Sequence, residues 1–208
     1  MLHIDRLCLS AGDTDLFTDL TLHLEAGRCL AVTGANGSGK STLLRAIAGL
    51  RHPDSGTVTL RASTTDDVVA DDTDSRFRAL VAVELGDDST FAELTVAEHL
   101  RVLTSAHGAD TGAVADILSD AGIAHLADRF PHTLSTGQRQ RFTLCAVWIR
   151  PARLIVLDEP EAGLDVAGRD WVAHRIERAV AEERSVVVAT HSAELVERCA
   201  DSTVTVGR

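Results

Sequence analysis

The sequence predicts an α/β fold in which a mostly parallel sheet is flanked by helices, with an antiparallel β subdomain and a helical insert. Three observations carry this prediction. Short apolar runs at Leu154–Leu157 and Val186–Ala189 are separated by a helical pattern, which is typical of parallel strands buried on both faces. Strand-like alternation punctuated by glycine dominates the first sixty residues. Residues 95–149 instead have helical periodicity.

The first four strands follow from apolar residues that alternate between glycine-containing turns. They are predicted at Leu2–Leu9, Leu20–Leu24, Cys29–Thr33 and Thr57–Leu60. A helix interrupts them, beginning near Gly39 and reaching Leu50, because its apolar residues recur on one helical face. The stretch Ser63–Ser75 is rich in Asp and Thr, which indicates a solvated loop or hairpin tip, or else a divalent-cation site.

The helical insert is predicted from residue 88 to residue 149. Thr95 and Glu98 have the spacing of a capping box, and a second apolar stripe runs from Val114 to Ala121. A further helix is expected at about Ala167–Glu182, between the two buried strands. One domain of residues 1–208 therefore divides into a core with a β subdomain, residues 1–87 and 150–208, and a helical subdomain, residues 88–149.

Composition excludes several classes of protein. With 45% hydrophobic and 25% charged residues, the 208-residue chain is globular rather than disordered. Its net charge of −11 disfavours nonspecific binding to nucleic acid or to anionic lipid. No apolar run approaches the roughly 20 residues that cross a bilayer, and no secretory signal is visible. We therefore expect a cytoplasmic protein whose contact with a membrane comes through a protein partner.

The side chains that most often bind metals are scattered along the chain. The cysteines form no C-x-x-C pair, which argues against a zinc site or a disulfide framework and favours ordinary buried thiols. These cysteines are Cys8, Cys29, Cys145 and Cys199. Several histidines lack metal-ligand spacing, and we expect them on the surface or in loops. They include His99, His107, His125 and His132.

A phosphate-binding loop is predicted after the strand Cys29–Thr33, where the motif G-x-x-x-x-G-K-[ST] precedes a helix. Its candidate ATP-binding residues are Gly34, Ala35, Asn36, Gly37, Ser38, Gly39, Lys40, Ser41 and Thr42. The glycines let backbone N–H groups converge on phosphate oxygens. Lys40 supplies charge for the β and γ phosphates, and the Ser41 hydroxyl can bind Mg²⁺. A glycine-rich turn without a ligand would need neither side chain.

Further polar residues follow two of the predicted strands. Asp158 and Glu159 come directly after Leu154–Leu157, and His191 follows Val186–Ala189, where open α/β sheets bind their ligands. We expect Asp158 to hold the metal, Glu159 to orient and deprotonate a water, and His191 to bond the γ-phosphate. Adjacent acids can also decorate a helix start, and a lone histidine can be structural.

The segment Leu134-Ser135-Thr136-Gly137-Gln138 resembles the LSGGQ signature of ATP-binding cassette (ABC) ATPases. It precedes a helix and lies between the phosphate loop and Asp158, so the resemblance covers essentially the whole chain in the family's motif order. Ser135 and Gln138 alone also fit an S-x-x-Q capping box, and both interpretations can hold. The resemblance implies a P-loop NTPase fold.

The resemblance further implies that two such subunits sandwich two ATP molecules. Each site then combines the phosphate loop of one subunit with Ser135, Thr136, Gly137 and Gln138 of the other. Residues 159–165 correspond to the family's D-loop, with Asp165 at its aspartate. In transporters, the opening and closing of the sandwich moves membrane subunits that dock near the helical insert.

The sequence departs from the family pattern in four places. Thr136 replaces the first signature glycine, and Ala162 and Gly163 stand where the family often has Ser-Ala. No aromatic residue lies near Ala11, where members usually stack adenine, and Phe17 aligns with a core position. No glutamine occurs between Val81 and Thr95, where the family has its Q-loop; Glu84, Gly86 and Asp87 lie in that segment.

Together these features predict an ATP-hydrolysing, Mg²⁺-dependent subunit of an ABC transporter. We expect it to work as a homodimer, or as a heterodimer with another ATPase subunit, bound to integral membrane permease subunits on the inner face of the cell membrane. Its short length resembles exporter subunits, with import as the alternative. A DNA-repair or translation ATPase is disfavoured, since there is no long coiled-coil arm. A weakly hydrolysing regulatory cassette is the third alternative.

Overall fold

The computed structural model describes residues 1–12, 14–61, 66–86 and 90–207, and the elements below lie within those ranges. The strands are β1 (Leu2–Ala11), β2 (Thr14–Leu24), β3 (Cys29–Gly34), β4 (Ser55–Arg61), β5 (Asp67–Val69), β6 (Val81–Glu84), β7 (Leu154–Asp158), β8 (Ser185–Ala189) and β9 (Ser202–Val206). The helices are α1 (Lys40–Ile47), α2 (Ser75–Leu80), α3 (Val96–Ala106), α4 (Ala113–Asp120), α5 (Thr136–Trp148), α6 (Val166–Ala181) and α7 (Ala193–Cys199).

The larger sheet is parallel throughout, in the order β6-β7-β8-β3-β9. Successive side chains of a strand point to opposite faces of the sheet, and β3 is buried on both faces. Cys29 and Ala31 pack into a core with residues of α3 to α6, whereas Leu30 and Val32 pack into a second core with α1 and the other sheet. The predicted α/β fold is confirmed, and the carboxyl ends of its strands share one edge.

The smaller sheet is antiparallel, in the order β2-β1-β4-β5. β1 lies inside it, and its residues Leu2, Ile4, Leu7 and Leu9 are buried. The register shifts between Ile4 and Leu7, where Arg6 has φ 46°. This irregularity returns Leu7 to the buried face, because an extra residue in a strand offsets the two-residue alternation.

The helical insert consists of α3, α4 and α5, which lie between β6 and β7 in the chain. The predicted capping box of α3 is confirmed: the Glu98 amide donates to Thr95 Oγ1 at 3.3 Å, and the Thr95 amide donates to Glu98 Oε2 at 2.9 Å. No helix in the described part of the chain is long and apolar enough to span a membrane. The division into core and helical subdomain stays a prediction.

Several boundaries differ from the predicted ones. α1 ends at Ile47 rather than reaching Leu50, which is 46% exposed, and Gly49 adopts φ 73° just beyond the helix. Such a left-handed glycine ends a helix. β2 begins at Thr14 instead of Leu20, and the short elements β5, α2, β6 and β9 were not predicted. Pairing with neighbouring strands defines β5, β6 and β9, and their own sequences carry too short a pattern.

The prediction that His99 lies on the surface is wrong. Its side chain is 4% exposed, between the rings of Phe91 and Phe142 at centroid distances of 5.3 and 5.4 Å. His99 occupies the apolar stripe of α3, three residues after Val96, so the helix turns it inward. Burial lowers the pKa of His99. Burial of the thiols is confirmed for Cys29 and Cys145, whereas Cys8 and Cys199 are partly exposed.

The acidic stretch lies partly outside the described residues, which omit residues 62–65. The rest forms the hairpin partner β5 and the turn into α2. Its acids bond locally: Asp67 pairs with Arg61, Asp71 accepts from Thr73, and the Asp74 side chain caps α2. In the ranges that the structure describes, no three metal-ligating side chains are grouped.

Candidate functional site

The phosphate loop connects the carboxyl end of β3 to the first residue of α1. Gly34 has φ 146°, and a Cβ atom there would lie 2.1 Å from the Val206 carbonyl oxygen of the adjacent β9. Gly39 precedes α1 with φ 103°. Only glycine adopts these conformations at little cost, so the glycines predicted for this loop are required by its backbone and by its packing.

Lys40 points back into the loop from the first residue of α1. Its Nζ donates hydrogen bonds to the carbonyl oxygens of Gly34 at 3.0 Å and Ala35 at 3.2 Å, and the residue is 6% exposed. Lys40 is the only lysine in the sequence. The ammonium group is therefore held at the loop, where a positive charge and nearby backbone N–H groups attract an anion.

Three strand ends bring the predicted catalytic side chains together. Glu159 follows β7 in a left-handed conformation, φ 47°, and its amide donates to the Ala189 carbonyl oxygen at 2.8 Å. His191 follows β8, and its Nε2 lies 3.1 Å from Glu159 Oε1 and 3.0 Å from Lys40 Nζ. When Nε2 carries no proton, it accepts a hydrogen bond from the Lys40 ammonium group. When Nε2 carries a proton, it donates a hydrogen bond to the Glu159 carboxylate.

The candidate metal ligands lie at the same edge of the sheet. Ser41 is exposed in the first turn of α1, and Asp158 is the half-buried last residue of β7. A hydroxyl and a carboxylate are hard oxygen donors of the kind that Mg²⁺ takes alongside water and substrate phosphates. The donor set therefore fits Mg²⁺.

The signature segment forms the start of α5. Ser135 is the N-cap: the Gln138 amide donates to Ser135 Oγ at 3.4 Å, and the Ser135 amide donates to Gln138 Oε1 at 3.0 Å. The capping-box interpretation is thus confirmed. A capped helix start also presents N–H groups, so the signature interpretation is compatible with it and stays a prediction, as does the role of Thr136.

Two side chains that the sequence analysis missed join α5 to the segment after Glu159. Gln140 Nε2 donates to the Pro160 carbonyl oxygen at 3.3 Å, and Arg141 Nη2 donates to Asp165 Oδ1 at 2.8 Å. Asp165 also accepts from the Gly168 amide at 2.8 Å, as the N-cap of α6. The Gly168 amide, and then Arg141, lower the pKa of Asp165. In the sequence, the only indication of a role for Gln140 and Arg141 was their position just after the signature segment.

The positions at which this sequence departs from the family pattern lie in different parts of the structure. Phe17 is 9% exposed and packs in the core of the two sheets, as predicted. Its ring edge also lies beside Gly39, where an added Cβ atom would be 3.2 Å away. Glu84 ends β6 and accepts from the Gly86 amide at 3.1 Å, whereas Asp87 lies outside the described residues.

Known proteins agree with these motifs. A family model described as ABC transporter matches residues 17–162. The cytochrome c biogenesis ATP-binding export protein CcmA of Xanthomonas oryzae pv. oryzae is 34% identical over 194 residues, with 93% of this chain and 87% of the relative covered. The cobalt import ATP-binding protein CbiO of Rhodobacter capsulatus is 36% identical over 195 residues, with 91% and 69% covered.

Solved structures show the same fold. An ATP-binding subunit of an ABC transporter superposes with a TM-score of 0.90 at 25% identity, with 100% of this chain and 86% of that one covered. A dimeric ATP-binding cassette in a post-hydrolysis state, bound to ADP and Pi, has a TM-score of 0.85 at 20% identity, with 100% and 94% covered. The motifs, the relatives and the fold agree: the chain belongs to the ABC transporter family, whose ATP-binding subunits are ATPases.

Proposed function

We propose that Lys40, Glu159 and His191 carry out ATP hydrolysis in this chain, and that hydrolysis powers substrate export through separate membrane subunits. The observation that carries the proposal is the meeting of these three side chains at the carboxyl ends of β3, β7 and β8. The side chains of Glu159 and His191 are both 44% exposed, so a bound nucleotide and a water molecule can reach them.

Each residue has one role in the proposed reaction. The loop amides and Lys40 bind the β and γ phosphates of ATP. Glu159 orients a water molecule and accepts its proton as the water oxygen bonds to the γ-phosphorus and the bond to the β-phosphate oxygen breaks. His191 donates a hydrogen bond to the γ-phosphate. This division follows from the chemistry, because phosphoryl transfer needs positioning and charge stabilisation more than covalent help.

Mg²⁺ is the metal that the donor set supports. Ser41 and Asp158 would hold it, directly or through water, and the ion supplies positive charge against the phosphate oxygens. The residues of this chain then position the water and the leaving group.

A second subunit completes the proposed site. Ser135 is exposed at the N-terminus of α5, where N–H groups can reach phosphate oxygens of a nucleotide held by another copy. We place Ser135, Thr136, Gly137 and Gln138 in this role, acting in trans, with Asp165 in the neighbouring D-loop. A homodimer, or a heterodimer with another ATPase subunit, satisfies the arrangement.

The proposed role of ATP hydrolysis is to drive transport across a membrane. One similar protein is named as an exporter subunit and another as a cobalt importer subunit. We propose export, with import as the alternative. We place the subunit at the inner face of the cell membrane, bound to integral membrane permease subunits.

The substitution Glu159→Gln tests the assignment of the base. It should leave ATP affinity nearly unchanged and lower the turnover of ATP by about 100-fold or more, since a general base contributes 10²–10⁴-fold. Size-exclusion chromatography with ATP should show an accumulating dimer. Turnover is measured by phosphate release, and affinity by calorimetry.

The matched control is Glu197→Gln, which makes the same chemical change on the exposed face of α7. Its turnover should equal that of the wild type. Wild-type turnover in Glu159→Gln would remove Glu159 as the group that activates water.

Purification of the tagged protein from detergent-solubilised native membranes tests the transport role. We expect a polytopic membrane protein to co-purify at near-equal stoichiometry, with identification by mass spectrometry. Recovery from the soluble fraction alone, together with ribosomal or nucleic-acid partners, would contradict the transporter role while leaving ATP hydrolysis in place.

A further inference from the structure

Glu161 contacts the segment that carries His191 through the residue that precedes that histidine. Thr190, the residue before His191, donates a hydrogen bond from Oγ1 to Glu161 Oε1. Thr190 is 1% exposed, and Glu161 is half-buried. The contact spans the two loops that follow β7 and β8, so it connects the segment of Glu159 to that of His191.

The direction of this hydrogen bond is fixed by the Glu161 carboxylate, which has no proton when ionised and can only accept. Thr190 Oγ1 accepts from the Ser192 amide at 2.9 Å, and a hydroxyl group has a single proton to donate. That proton goes to Glu161 Oε1. The Thr190 amide donates to the Val32 carbonyl oxygen at 3.2 Å. Hydrogen bonds therefore fix the backbone of Thr190 and Ser192, the residues on both sides of His191. The Thr190 hydroxyl group links this segment to Glu161.

A carboxylate at position 161 is costly for the fold. The second oxygen, Glu161 Oε2, is buried and accepts no hydrogen bond from any described residue. A buried polar atom without a partner destabilises the folded state. A smaller or apolar side chain would avoid this cost, which favours a functional reason for the acid.

We propose that Glu161 is a positioning residue for hydrolysis, which acts through Thr190 to hold His191 beside Lys40 and Glu159. The inference rests on the proposed function, since it assigns a use to the His191 geometry. A charged acceptor makes the Thr190 hydrogen bond stronger than a neutral one does. The segment 190–192 is thereby fixed to the turn that follows Glu159, and the separation of His191 from Glu159 is kept.

Four variants test the contact. Thr190→Val removes the hydroxyl at nearly constant shape, whereas Thr190→Ser retains it as the conservative replacement. Glu161→Ala removes the acceptor, and Glu161→Gln retains an oxygen without the charge. Glu197→Gln is the exposed control for the change of an acid to its amide. Thr190→Val keeps the test available if Glu161→Ala does not fold.

The kinetic expectation separates positioning from binding. Thr190→Val and Glu161→Ala should lower kcat by about 10- to 100-fold, the size of effect that a misplaced catalytic group produces. KM for ATP should change by less than about twofold, because the phosphate loop is untouched. Thr190→Ser should recover most of the wild-type kcat, and Glu161→Gln should lie between Glu161→Ala and the wild type.

A second readout needs no turnover. The ring resonances of His191, assigned in an NMR spectrum by their loss in His191→Ala, should shift in Thr190→Val and Glu161→Ala but not in Glu197→Gln. Unchanged kcat and unchanged His191 resonances, with only a loss of stability, would overturn the proposal and make the contact purely structural. Absence of ATP turnover in the wild type would instead refute the proposed function, and the resonances would still decide whether Glu161 positions His191.

Discussion

At the scale of single residues, the candidate site depends on one cation. The charged side chains of this chain include a single lysine, and that lysine lies in the phosphate loop. Lys40 donates to two loop carbonyl oxygens and lies 3.0 Å from His191. A compact ammonium fits this space, whereas the planar fork of arginine requires a different geometry.

Lys40→Ala should therefore weaken ATP binding itself. We expect the dissociation constant to rise by about 10-fold or more, since a hydrogen bond to a charged group contributes roughly 1.5–3 kcal/mol. Calorimetric titration with ATP measures the effect. Arg101→Ala, which removes an exposed cation from α3, should bind ATP as the wild type does. Equal affinities for Lys40→Ala and the wild type would contradict the phosphate-loop assignment.

At the scale of secondary structure, the start of α5 is packed against the turn before α6. A Cβ atom at Gly137 would lie 2.9 Å from the Gly163 carbonyl oxygen, and Gln140 and Arg141 of the same helix bond the segment 160–165. The segments that we propose as the signature and the D-loop are therefore in direct contact within the chain.

Gly137→Ala tests that contact through the sign of its effect on stability. Alanine is normally the better helix former by about 0.8–1 kcal/mol, so a gain in the free energy of unfolding would be expected at an open position. The close Gly163 carbonyl oxygen should reverse this gain. We expect the free energy of unfolding to fall by about 1–3 kcal/mol, because the added methyl group overpacks the contact.

Urea denaturation measures the two free energies of unfolding. Thr136→Ala is the matched control, because Thr136 is exposed in the same turn of α5. It should leave stability unchanged or slightly increased. A stabilised Gly137→Ala protein would show that α5 and the D-loop are not tightly packed.

At the scale of the whole molecule, Asp201 joins distant parts of the chain. It precedes β9 and accepts from the Cys29 amide at 2.8 Å and from Arg28 Nη1 at 2.7 Å, at the start of β3. The hydrogen bond from Cys29, followed by the one from Arg28, lowers the pKa of Asp201. The carboxylate therefore stabilises the pairing of the edge strand with the sheet.

The lowered pKa of Asp201 determines how its contribution to stability depends on pH. Because the pKa is lowered on folding, the stabilisation is present above the ordinary Asp pKa of about 3.9 and is lost as the pH falls through the lowered value. Asp201→Asn should be less stable than the wild type at pH 7, and the difference should shrink in acid. Denaturation between pH 7 and pH 3 tests this, with the exposed Asp116→Asn as control. A difference independent of pH would contradict it.

Much of the site could be predicted from local patterns. The phosphate loop, the two capping boxes and the acids after β7 are each defined by residues close together in sequence, because glycine conformations and helix caps are local. The contacts of Glu161 with Thr190 and of Arg141 with Asp165 join residues 29 and 24 positions apart. No local pattern encodes such contacts.

The sequence by itself determined the fold class, the order of the motifs and the residue types that we propose bind phosphate and activate water. The tertiary structure alone decided where β6 and β9 pair, that His99 is buried, and that His191 Nε2 lies about 3 Å from both Lys40 and Glu159. The physical reason is that periodicity and turn chemistry act over a few residues, whereas strand order and burial depend on segments brought together by the hydrophobic core.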